Sequence, residues 1–222
     1  MVIVHHLNNS RSQRVLWLLE ELGVDYQVKR YERNAVTMLA PPELKAVHPL
    51  GKSPVITDGN ATVAESGAIV EYLVERYGKG RLLPAAGTPE HLQYRYWLHY
   101  AEGSIMPLLV MKLVFSHIPK GVPALIRPIA NAIVRGVNGK FLGPNLALHL
   151  DYIESELGRT GWFAGNEFSA ADIQMSFPAE AAAARGGPGA SRPNLSAFLQ
   201  RIHARPAYQR ALQKGGPYEL LS

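Results

Sequence analysis

Three short polar clusters carry the residue types that could do chemistry. The first is Ser10-Arg11-Ser12-Gln13-Arg14, set between an apolar stretch and a helical one. A helix N-terminus gathers unpaired N–H donors and partial positive charge, so it favours an anion. A serine hydroxyl there can donate to a thiolate or an oxyanion. The plain reading is an ordinary N-cap, with Ser10 and Gln13 spaced as a capping box. The second cluster is Gly51-Lys52-Ser53-Pro54-Val55. A proline opening a strand marks a fixed turn, and a minority of such bonds are cis. A cis turn would leave the Val55 backbone free at the strand edge to pair with a peptide-like ligand. The plain reading is a simple edge-strand start. The third is Glu65-Ser66 at the head of a helix, where Ser66 can cap and hold a carboxylate while Glu65 pairs with an ammonium. Its plain reading is an acidic first turn that complements the macrodipole. Each cluster is weak alone; their conjunction carries the weight.

The elements that must position these clusters can be read from periodicity. Val2–Leu7 predicts a buried strand, and Val15, Leu18, Leu19 and Leu22 recur at helical spacing before Gly23. Residues 25–32 read as a strand, and residues 33–47 as an irregular helix broken by Pro41-Pro42. Residues 54–57 and 61–64 read as strands joined by Asp58-Gly59-Asn60, a hairpin signal. Residues 65–77 read as a helix, so the order is β-α-β-α-β-β-α. Residues 78–89 are rich in Gly, Pro and Ala. Beyond them helices are expected at roughly 90–117, 123–157, 169–184 and 194–213, with Pro107, Pro128 and Gly143-Pro144 kinking or dividing the first two. Residues 181–189 and the tail after Gly215 read as loops. The polar clusters thus lie at adjoining ends of one small α/β unit followed by an all-helical part.

Composition excludes other chemistries. Among 222 residues there is no cysteine, which rules out a disulfide framework, a thiolate metal site and a cysteine nucleophile. Any thiol chemistry needs a thiol from outside. The net charge of +5 arises beyond residue 80, since residues 1–80 hold nine basic and nine acidic residues. Residues 103–150 contain Lys112, Lys120, Arg127, Arg135 and Lys140 but no acid. That stretch suits a solvated face, an anionic membrane surface, a pocket for anionic substrates or a subunit contact. The first of these is the commonest. No signal peptide is visible, and apolar runs are interrupted short of a membrane span, so a cytoplasmic location is expected and membrane contact is not. The eight histidines show no metal-ligand clustering, and no metal is expected; His5 and His6 should point to opposite sheet faces.

The segments LNNSRSQRVLWLLEELGVDY and HPLGKSPVITDG…VAESGAIVEYLVERY resemble the glutathione S-transferase family, and the likeness extends over essentially the whole chain. Phe168-Ser169-Ala170-Ala171-Asp172-Ile173 resembles that family's structural capping box, and AEGSIMPLLVMKLVF is similar to its bacterial and fungal members related to the yeast type. The resemblance implies a thioredoxin-like α/β domain over residues 1–80, a linker over 81–90 and an all-helical domain over 91–222 that supplies the electrophile pocket. It implies glutathione as co-substrate, a small hydrophobic electrophile and a homodimer. It also implies site roles. Ser10 would donate to the glutathione sulfur. Pro54 would be cis, with Val55 pairing to the cysteinyl backbone. Lys52 would approach the glycine carboxylate beside Ser53, Glu65 and Ser66 would hold the γ-glutamyl end, and Glu102 would reach the partner subunit's glutathione. No tyrosine precedes the first helix, and cysteine-type branches are excluded, leaving a serine-type enzyme or one that uses Asn9 or Ser12.

The expected activity is attack of the activated thiolate on an electrophilic carbon, with reduction of organic peroxides as a further outlet. A free thiol titrates near ~8.5, so a hydroxyl donor and a helix N-terminus would act by lowering that value. The competing function is a non-catalytic binding or regulatory module, because fold does not fix function. Nucleic-acid binding ranks last, because the basic residues lack interleaved aromatics. Met106, Leu109, Val110 and Leu113 are pocket candidates with plain core as the stronger reading, and His91, Arg95 and His99 form a basic helical stripe.

Overall fold

Strand β1 (Val2–Leu7) occupies an inner position in a four-stranded sheet of order β2-β1-β3-β4. Its apolar, β-branched residues suit a strand buried on both faces. Helix α1 (Ser12–Leu22) returns the chain so that β2 (Tyr26–Tyr31) runs parallel to β1, with Val2 opposite Tyr26 and Leu7 opposite Tyr31. Gly23 ends α1 in the left-handed conformation, with φ 65°. The short α2 (Glu43–Val47) starts directly after Pro41-Pro42. Strands β3 (Val55–Asp58) and β4 (Ala61–Ala64) form the expected hairpin, and α3 (Ser66–Tyr77) completes the α/β unit. One expectation fails here: β3 is an inner strand, with Val55 opposite both His5 and Ala64, so Val55 does not lie on a sheet edge.

The computed structural model describes residues 1–185 and 191–218. Beyond α3 the described elements are helical: α4 (Pro89–Tyr100), α5 (Met106–His117), α6 (Arg127–Val137), α7 (Gly143–Thr160), α8 (Ala170–Arg185), α9 (Pro193–His203) and α10 (Pro206–Gly215). Pro107 does not break its helix; a π-helical turn, Ala101–Ile105, joins α4 to α5 just before it. By length and composition the run Pro89–Lys120 passes for a membrane span. It packs on α8 through its buried residues, among them Trp97, Leu98, Ile105 and Leu109. The helix expected over 194–213 is two helices, because Pro206 opens α10 and pushes Arg205 out of helical conformation, with ψ 130°. The loop expected from residue 181 is still helix through Arg185, and Ala181 and Ala182 are buried; residues 186–189 lie outside the described residues.

The capping box of α8 forms as its pattern predicts. Asp172 accepts from Ser169 N (2.8 Å) and Ser169 Oγ (3.1 Å), and Ser169 Oγ accepts from Ala171 N (3.3 Å). Asp172 also accepts from Phe163 N at 2.8 Å, which ties the box to the preceding loop. Burial raises the Asp172 pKa to about 6 against the pull of those donors. Phe168 packs on Trp17 and Trp162, so the box sits where α1 meets the helical part. The main core is one cluster running from Val2 to Ala211.

Candidate active site

The β1–α1 loop, the turn before β3 and the start of α3 meet at one end of the sheet. They line a cleft of about 410 Å³. Lys52, Ser53, Pro54, Glu65 and Ser66 all face it. The Ser53–Pro54 peptide is cis. Ser53 Oγ donates to the His5 carbonyl at 3.0 Å, which pins the turn to β1. Glu65 has φ 72° and ψ 125°, in the left-handed half of the map that a non-glycine residue rarely occupies. Such backbone persists where its surroundings over-determine it, and it recurs at ligand-binding sites. It places Glu65 outside α3, so the helix opens on Ser66 itself. The expected Ser66 cap and acidic first turn are therefore both absent.

Ser10 and Val55 stand behind the cleft wall. Val55 is fully buried. Ser10 is 4% exposed and lies 3.4 Å from Ser53 Oγ, next to the cleft-lining Arg11. It is not a conventional cap. The residue flanking α1 is Arg11, and Ser10 Oγ accepts from Ser12 N at 3.3 Å. Gln13 follows at capping-box spacing but is buried, and its side-chain amide nitrogen has no hydrogen-bond partner. Ser10 Oγ also contacts Ser12 Oγ at 2.7 Å, and Ser12 Oγ lies 2.9 Å from His6 Nδ1. His5, on the opposite face of β1, turns instead to the Tyr31 hydroxyl at 2.9 Å.

Residues that periodicity did not single out supply much of the cleft's charge. Arg11, Arg33, His48 and Glu102 line it beside Lys52 and Glu65. Burial and the charge of Arg11 both lower the Arg33 pKa, so an incoming anion would relieve crowded positive charge. Glu102 is among these charged lining residues. It projects from the π-helical turn into its own chain's cleft, paired with Arg11 Nε at 3.1 Å and with Arg14. Arg14 is fully buried and also donates to the Gln174 carbonyl at 2.6 Å. A π-helical turn often marks a functional position; the turn itself has no signal in the sequence, where Glu102 stands out only through the family resemblance.

Other candidates fall elsewhere. Met106 and Leu109 are core, while Val110 is exposed, and none of them lines this cleft. His91 and Arg95 border a separate hollow with Glu71 and Glu75, so that stripe faces acids. Among the described residues no group of three or more His, Cys, Asp or Glu side chains is placed to hold a metal ion.

The N-terminal domain of glutathione S-transferases matches residues 1–75, and the C-terminal domain of the same family matches residues 143–206. The chain belongs to the glutathione S-transferase family. It is 38% identical to glutathione S-transferase 3 of Schizosaccharomyces pombe over 96% of this chain and 88% of that one. It is 31% identical to glutathione S-transferase 1 of Saccharomyces cerevisiae over 96% and 95% of the two chains. A crystal structure of a glutathione S-transferase from Actinobacillus pleuropneumoniae superposes with a TM-score of 0.79 at 34% identity, covering 100% of this chain and 96% of the other. A sphingomonad glutathione S-transferase solved with glutathione shares the fold at TM-score 0.73 and 22% identity, over 96% and 98% of the chains. The α/β sheet domain and helical domain are thus the glutathione S-transferase fold. Glutathione is the family's co-substrate.

Proposed function

We propose that this transferase binds glutathione in the 410 Å³ cleft and activates its thiol beside Ser10 for attack on a small hydrophobic electrophile. The observation that carries this reading is convergence: Lys52, Ser53, Pro54, Glu65 and Ser66, far apart in sequence, face one cleft with the Ser10 hydroxyl 3.4 Å behind Ser53. Glutathione has two carboxylates, one ammonium and a thiol. Lys52 and Arg33 suit the glycine carboxylate, Ser66 at the head of α3 suits the γ-glutamyl carboxylate, and Glu65 suits the ammonium. The cysteinyl segment is assigned to the Ser53–Pro54 turn, which lines the cleft, and not to the inner-strand Val55. Absence of cysteine makes thiol–disulfide exchange through an enzyme thiol impossible, and among Ser10, Asn9 and Ser12 we assign the sulfur to Ser10 for its place 3.4 Å from the cleft-lining Ser53. We take residues 1–80 and 91–222 as the two domains and a cytoplasmic homodimer as the working assembly.

A thiol near pKa ~8.5 is mostly protonated at neutral pH. A hydroxyl bond and the N-terminus of α1 both favour thiolate. Retention on immobilised glutathione tests binding, and turnover of a chlorodinitrobenzene-type electrophile or an organic peroxide tests chemistry. Ser10→Ala should raise the apparent pKa of the bound thiol by about one unit, cutting thiolate about tenfold near pH 7. An unchanged pH–rate profile would remove Ser10 from the role. Retention with no turnover of either substrate class would return the protein to a non-catalytic binding module.

A further inference from the structure

We propose that residues 118–140 of the helical domain dock on an anionic lipid surface, with α6 lying in the plane of the bilayer interface. The face stands apart from the 410 Å³ cleft, which none of its residues lines.

Helix α6 has a wider apolar face than the protein covers. Its buried residues are Ala130 and Val134. Ile126, Ile129 and Ile133 stand three and four positions apart and so share a face. Ile129 and Ile133 each precede a buried residue by one position, which sets them about 100° around the helix axis from it. They are 63% and 58% exposed, and Ile126 is exposed with them. Leu125, in the turn before α6, is 90% exposed. The main packing of α6 is against the short helical turns that flank it, Ile118–Lys120, Ala124–Ile126 and Asn138–Leu142. A contiguous apolar face rimmed by charge marks an interaction site.

Charge selects the occupant. Residues 103–150 hold five basic residues and no acid, which accounts for the whole net charge of +5; the rest of the chain carries 18 residues of each sign. Lys120, Arg127, Arg135 and Lys140 are exposed within or beside the apolar turns. Two copies of this face brought together would set five positive charges against five with no acid between them, so it is a poor self-contact. Nucleic acid would match the charge, but single-strand binders stack bases on aromatic rings, and the uncovered side chains of α6 are aliphatic. An anionic bilayer matches both features. Its headgroups meet the Lys and Arg side chains, and its acyl boundary takes the isoleucines to a depth of about 5–10 Å. With 11 residues α6 is about 16 Å long, too short to cross a hydrocarbon core of ~30 Å, so it lies on the surface. The interrupted apolar runs that argued against membrane contact bear on spanning, not on lying at the interface.

The test is cosedimentation of the full-length protein with vesicles of phosphatidylcholine and phosphatidylserine, about three to one, and with vesicles of phosphatidylcholine alone. Binding is expected to the first and not to the second. It should fall about tenfold as added salt shortens the Debye length from ~10 Å to ~3 Å. Ile129→Gln combined with Ile133→Gln keeps every charge and should weaken binding by about tenfold or more. Arg135→Gln combined with Lys140→Gln keeps the isoleucines and should weaken it about tenfold while flattening the salt dependence. All four side chains are exposed, so both variants should keep the parental unfolding midpoint and the parental retention on immobilised glutathione, which separates docking from folding and from the cleft. Sedimentation with neither vesicle overturns the proposal, and equal sedimentation with both overturns the anionic surface. Binding to a DNA duplex but not to vesicles overturns the lipid as occupant. A fall in oligomeric mass in the isoleucine variant, read by sedimentation velocity, assigns the face to a contact between copies and overturns it as well.

Discussion

At the scale of single residues, the cleft gathers charge of both signs. Lys52 is exposed on the turn before β3, and Glu65 is held by strained backbone just ahead of α3. Exposed charge contacts contribute about 1 kcal/mol or less after screening. Lys52→Ala is therefore expected to raise KM for glutathione about fivefold at low salt, with kcat changed little, because the contact is made equally in the ground and transition states. Steady-state kinetics at two ionic strengths check this: the defect should shrink in high salt. A large fall in kcat would place Lys52 in the chemistry instead.

At the scale of elements, the α8 capping box joins three segments through one carboxylate. Asp172 receives Phe163 N, Ser169 N and Ser169 Oγ, and it is fully buried. Removing it leaves those donors without partners, each at a cost of about 1–3 kcal/mol. Asp172→Ala should cost about 3 kcal/mol of stability, measured by denaturant unfolding, while leaving KM for glutathione near its parental value in the protein that remains folded. The box was legible because its pattern is local: Ser, two alanines and Asp satisfy one another within four residues. The π-helical turn at Ala101–Ile105 was not, because periodicity shows only that apolar residues recur. It does not show how the chain absorbs Pro107, which has no N–H to donate.

At the scale of the whole molecule, the sheet domain and the helical domain share one apolar core. Polar ties reinforce it: Arg14 on α1 meets Glu102 from the π-helical turn, and Arg205 and Arg210 meet Glu21 and Glu20 of α1. Trp17 of α1 packs edge-on against Tyr208 of α10. Such sharing predicts one cooperative unfolding transition by calorimetry; two resolved transitions would show that the domains unfold separately. Arg14 is fully buried, so deleting its counter-charge leaves an uncompensated ion. Glu102→Ala is expected to cost about 3 kcal/mol. Replacing both partners by apolar residues should recover part of that loss.

By itself the sequence determined the element order, the hairpin, the α8 box and the polar clusters from which Lys52, Ser53, Pro54, Glu65 and Ser66 face the cleft. Those features depend on neighbours a few positions apart: Asp58-Gly59-Asn60 turns the chain whatever lies beyond, and Ser169 and Asp172 are one helical turn from each other. The absence of cysteine was likewise complete in the sequence and bounded the chemistry at once. Only the tertiary structure decided what depends on residues brought together from afar. It put Val55 on an inner strand and turned Glu102 toward its own chain's cleft. It also buried Ser10 behind Ser53 and joined it through Ser12 to His6. The physical reason is that hydrogen-bond direction and burial are properties of neighbours in space. A serine before a helix looks like a cap until the fold sets Ser12 and Ser53 against its hydroxyl.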